Sequence, residues 1–191
     1  MRIARLVAWL GPWLAVGLIT APARADVTSW LALGGGYGLA RNGVASSIDS
    51  AGTFSGSIGV GTSPRSALVV GGMFRSVTYV GFGTDIGLGA RLATRGFARG
   101  DWGFAFDLGL GYRYWGSGNY GQFPVQPVAT LGAPWGLQLG VGANVFSLDG
   151  ATQAVGGFAV LEIDLLRLTL MRQGSTDSAW HNPLPAGGRT P

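Results

Sequence analysis

Seven charged side chains fall on one phase of an alternating pattern in this 191-residue chain: Arg75, Asp85, Arg91, Asp107, Arg113, Glu162 and Asp164. Three are positive and four negative, so their first chemistry is ion pairing in a confined space. Glu162 and Asp164 could serve acid–base work, but they share their face with arginines and read as pair partners. Ser55 and Ser57 lie on an equivalent face, yet the one histidine is His181, far along the chain. Serine nucleophiles need a base within hydrogen-bond reach. There is no cysteine, which removes thiolate and disulfide chemistry, and His181 has no ligand cluster around it for a metal. The pairs Gly59/Gly61, Gly87/Gly89, Gly109/Gly111 and Gly140/Gly142 lie inside alternating runs with no helix after them, unlike phosphate loops. No catalytic, cofactor-binding or metal-ligating residues are therefore expected, and the chain does not read as an enzyme.

The elements that position these charges repeat with period two. From Trp102 to Trp115, Trp102, Phe104, Phe106, Leu108, Leu110, Tyr112 and Tyr114 alternate with small or charged residues, apart from the final Trp115. Phe54 to Gly61, Asp85 to Leu92 and Leu137 to Val145 alternate likewise, and weaker versions occupy 30–39, 67–75, 123–132 and 154–165. No helical period fits. The pattern predicts eight strands of about the ~9–11 residues that a tilted strand needs to cross a bilayer. Their connections alternate between short (62–66, 98–101, 133–135) and longer (40–51, 76–84, 116–122, 147–153). An exported barrel has that arrangement, with short turns at the periplasmic end and longer outer loops.

A soluble sandwich would alternate too, but its polar face should be richly charged. Here glycine numbers 35 and charged residues make up only 12% of the chain, so the second face is small rather than solvated. A narrow lumen needs that. The aromatics Trp102 and Trp135 beside short turns, and Tyr37, Phe74, Tyr112, Tyr114 and Phe123 towards longer loops, suit two interfacial girdles. The N-terminus reads as a cleaved signal peptide over 1–25: Arg2 and Arg5, an apolar run from Leu6 to Thr20, then Ala23-Arg24-Ala25. All 13 basic residues are arginine, and three (Arg2, Arg5, Arg24) would leave with the signal, so ten would face nine acids. A nucleic-acid role is not indicated. The barrel is expected over 26–172, followed by a polar tail over 173–191. The expected location is a bacterial outer membrane.

On these alternating runs, over about residues 28–172, the chain resembles the small eight-stranded outer-membrane barrels of the OmpA, OmpX and OmpW kind. The resemblance is architectural; no motif marks one subfamily. It implies an all-β, up-and-down antiparallel transmembrane barrel, with outer-membrane lipid and the secretion and barrel-assembly machinery as partners. Some barrels of this kind modify lipids with a serine and a histidine near the membrane surface; such an enzyme is the lesser alternative, since the one histidine here, His181, lies in the tail. Such barrels also often end on a strand with a terminal aromatic residue, whereas here a polar tail follows.

In the lumen, a fourth-to-fifth-strand turn centred on Arg99 pairs Arg91 with Asp107 and Asp85 with Arg113. A turn centred on Gly100 shifts both pairs to a diagonal still within arginine's reach. This favours a sealed, salt-bridged interior and a structural or surface-interaction role. A small pore or transporter for small or hydrophobic molecules is the alternative, and the abundance of lumen glycine leaves room for it. Val77, Tyr79, Val80 and Phe82 in loop 76–84, with Trp115 and Tyr120 about loop 116–122, form the candidate surface for a ligand. Oligomeric state is not legible.

Overall fold

A computed structural model describes residues 27–41, 47–116, 121–149 and 156–169. The expected signal segment, the tail with His181, Tyr120, and parts of three longer loops lie outside these. The described chain is an antiparallel meander: β1 (Thr28–Arg41), β2 (Ile48–Gly61), β3 (Leu68–Tyr79), β4 (Gly83–Thr94), β5 (Gly103–Trp115), β6 (Pro124–Gly132), β7 (Leu137–Asn144), β8 (Phe146–Ser147) and β9 (Gly156–Asp164). β8 is a two-residue continuation of β7, so the wall has eight long strands. Each long strand pairs with the next, and β9 pairs back onto β1.

The closure has a definite stagger. Partner residues followed once around the wall from Thr28 run through Gly61, Gly71, Arg91, Asp107, Val128, Gly142 and Phe158, and return to β1 at Gly38. The return point lies ten residues along the strand from Thr28. With ordinary strand spacing and rise, that stagger over eight strands gives a tilt of about 41° and a backbone radius of roughly 8 Å. An interior of that size can be filled by side chains.

Alternation holds round the wall. Leu88, Phe104, Leu108 and Leu161 are exposed on the outside, while their sequence neighbours point in. Even residues face the lumen on β1, β6, β7 and β9, and odd residues on β2 to β5. The phase slips once. Val128 pairs with Gly142 but Val125 pairs with Phe146, so one extra residue is bulged into the β7 side. Val145 and Phe146 both face out, and Ser147 turns in. Pro127, which has no N–H to offer, lies on the β6 stretch opposite this bulge.

The short connections share one end of the barrel. One of them is a helical turn, α1 (Arg95–Arg99), where the sequence suggested a plain turn. Thr94 caps it, its Oγ1 accepting from the Phe97 N–H at 3.4 Å. Gly100 ends it at φ 78, the left-handed conformation that glycine adopts without a Cβ clash. Phe97 and Ala98 are thereby buried with Trp30, Val69, Ala93 and Ala105. The last strand ends within a residue of the 154–165 run. β9 stops at Asp164, and α2 (Leu165–Thr169) follows, packed against β1. The first four residues of β1 pair with β2 alone.

At the opposite end, the expected loop 76–84 shrinks to a tight turn at Val80–Phe82, because β3 runs on to Tyr79 and β4 begins at Gly83. Val77 and Tyr79, expected in the loop, are buried in the lumen. Phe74 consequently lies midway along β3 rather than near a loop.

Candidate functional site: the charged lumen

Two bidentate ion pairs form between β4 and β5, in the first of the registers weighed from the sequence. Arg91 donates from Nε and Nη2 to the two carboxylate oxygens of Asp107, at 2.6 and 2.8 Å. Arg113 donates to Asp85 in the same way, at 2.8 and 2.7 Å. Each strand carries one member of each sign: Asp85 and Arg91 on β4, Asp107 and Arg113 on β5. Two parallel charge-assisted bonds per pair fix both side chains and offset much of the cost of burying them. Gln126 on β6 adds a third donor to Asp85, at 3.0 Å.

Arg75 on β3 bridges these strands to β9. Its Nη2 lies 3.2 Å from Asp107 and 3.9 Å from Glu162. Glu162 is fully buried and accepts from the Ser55 hydroxyl at 2.6 Å. That serine, considered as a nucleophile from the sequence, donates to a carboxylate that arginine already neutralises. Among the described residues no three acidic or histidine side chains converge as metal ligands would.

The sequence showed four acids against three arginines in the lumen. The fourth cation is Arg167 of α2. It pairs with Asp164, whose Oδ1 also accepts from the Leu166 N–H at 3.1 Å. Its Nη2 donates to the Ala98 carbonyl of α1 at 2.9 Å. Burial pulls the Arg167 pKa below its usual value, and the Asp164 carboxylate opposes that shift. The side chain crosses the barrel end between two turns where glycines at positive φ stand against it. A Cβ on Gly100 would meet Arg167 Cδ at 2.9 Å, and one on Gly136 would meet its Cβ at 3.2 Å. Four buried arginines thus face four buried acids among the described residues.

Aromatic residues close both sides of this layer. Arg91 lies 5.1 Å from the Trp30 ring and 5.3 Å from Phe97. Arg113 lies 4.2 Å from Trp115, which packs on Tyr79 and Phe82. Trp115 is therefore part of the interior closure rather than of an outer contact surface. The seven aromatics read as girdle residues, Tyr37, Phe74, Trp102, Tyr112, Tyr114, Phe123 and Trp135, all stand exposed on the outside. Such a site can hold charge and stiffen a wall. Comparison of the chain with protein-family models, with curated proteins and with solved structures finds no match.

Proposed function

We propose that this is an outer-membrane barrel, exported by its N-terminal segment, whose closed interior serves a structural or surface-interaction role in the envelope. The carrying observation is an inverted distribution of polarity. Eight buried charges lie inside a wall whose outer face is a nearly continuous field of Leu, Val, Ile and aromatic side chains. A soluble monomer rarely exposes an apolar patch beyond a few hundred Å², whereas lipid would cover this one without loss. Closed pairing satisfies the backbone, as a bilayer requires. The balanced ion pairs and the two aromatic closures support a sealed lumen rather than a pore, and no reaction is assigned to it. Outer-membrane lipid and the assembly machinery are the partners this reading implies.

The test has two parts. The folded protein is expected to need detergent and to migrate differently on gels before and after heating. A soluble monomer without detergent overturns the membrane reading. In planar bilayers no steady conductance is expected; a steady conductance that changes in Arg91→Ala or Asp107→Ala overturns the sealed lumen.

A further inference from the structure

The middle of the lumen contains a cavity of about 20 Å³ between β3, β4, β5 and β6. Its wall includes Gly87, Gly89 and Gly109, which leave the sheet bare, and its polar lining is Arg75, Asp107 and Gln126. Arg75 is 7% exposed, and among the described residues none accepts a hydrogen bond from its Nε, Nη1 or Nη2. The 3.2 Å approach to Asp107 supplies charge contact but not hydrogen-bond geometry. A buried guanidinium with unmet donors costs free energy unless a small acceptor reaches it.

We propose that this cavity is a binding site for an ordered water that accepts from Arg75 and donates to Asp107. The volume suits one such guest, since a water needs ≳10–15 Å³ of this kind of space and at least two polar partners. A water supplies both an acceptor and donors, which matches a site with a cation on one side and a carboxylate on the other. An anion would meet Arg75 favourably but would be repelled by Asp107 on the same lining. The glycines then have a purpose beyond fitting a narrow barrel: they keep the space in which Arg75 is solvated. The inference depends on the closed lumen and not on where the barrel resides.

The experiment is NMR on the purified, folded protein. A direct nuclear Overhauser effect is expected from a long-lived water to the Arg75 Nε–H and the Gly109 Hα. Gly109→Ala is the filling variant, because a Cβ there would sit 3.5 Å from the Leu88 carbonyl and 3.7 Å from that of Gln126, ordinary contacts. It is expected to abolish the effect, as is Val128→Ile from the β6 side should Gly109→Ala fail to fold. Bromide titration is expected to leave the Arg75 Nε shift unchanged. No water effect in the wild type, an undiminished one in a folded filling variant, or a saturable bromide shift would each overturn the proposal. Loss of the membrane reading, seen by solubility, would leave these outcomes unaffected.

Discussion

The two ends of the lumen are closed by different means. At the short-turn end, backbone elements do it: α1 folds Phe97 inward, α2 follows the last strand, and Arg167 ties one to the other through Asp164 and the Ala98 carbonyl. At the other end, the described residues close it with side chains alone. Tyr79, Phe82 and Trp115 project from strand ends and a tight turn, and lean on Phe158 and on one another. Beneath each closure lies the same device, an arginine paired bidentately with an aspartate on the neighbouring strand. The difference shows two ways in which the described residues stopper a barrel of this width. A polar pair sets the height of the stopper, and the nearest available structure, helical turn or aromatic side chain, completes it.

The strongest way to break this comparison is to remove the ion pairs. Arg91→Ala leaves Asp107 with Arg75 alone and takes the support from under Trp30 and Phe97. We expect a loss of about 4 kcal/mol for stranding a buried charge, measured by urea unfolding of the folded barrel with tryptophan fluorescence. Arg113→Ala should cost less, about 3 kcal/mol, because Asp85 keeps the Gln126 donor. The double change Arg91→Met with Asp107→Leu should recover part of the loss, because Arg75 then keeps Glu162 as its one partner. Equal destabilisation by single and double variants would show that packing, not the charge pair, holds that end.

The pin comes next. Arg167→Ala should cost about 2 kcal/mol, since Asp164 still accepts backbone N–H groups after the guanidinium is gone. Its distinctive readout is local. Amide exchange in α1 should rise while amides of the Val80–Phe82 turn stay protected. If both ends loosen together, they form a single unit and the contrast drawn here fails. At the opposite end, Trp115→Ala removes a half-buried indole and should cost about 1.5 kcal/mol. Its exchange pattern should be the reverse, with Tyr79 to Phe82 affected and α1 quiet.

Much of this arrangement was legible beforehand because a strand's period is short and strict. Once Phe104 is placed outside, Asp107 and Arg113 must lie inside. Charge complementarity between Asp85, Arg91 and their partners fitted two β4–β5 registers, and the structure adopts the one centred on Arg99. Three features escaped for physical reasons. α1 spans five residues, too few for a helical period to declare itself, although Thr94 and Gly100 are suitable caps. Arg167 is odd-numbered, which on a continued β9 would place it outside. Only the change from strand to helix at Leu165 brings it back towards Asp164, three residues earlier. Val77 and Tyr79 were missed differently. Ser76, Thr78 and the glycines after them resemble a loop, yet Ser76 and Thr78 occupy the outer phase of a longer β3.

The smallest expected effect bears on the outer surface of the short-turn end. Trp135 lies in the turn between β6 and β7 at φ 67, and it is 79% exposed. A bulky residue in the left-handed region is strained by roughly 1–2 kcal/mol. Its ring buries little against the protein in return. Trp135→Gly should therefore stabilise the barrel in detergent by about 0.5–1 kcal/mol, the relieved strain less the added flexibility of glycine in the unfolded chain. In lipid vesicles that gain should vanish or reverse, because an indole at the headgroup level anchors the turn. Stability there should be unchanged or lower on urea unfolding. An equal gain in both media would mean that the strain in this turn serves no interfacial contact, and that only the stopper inside this end, not the rim outside it, is under constraint.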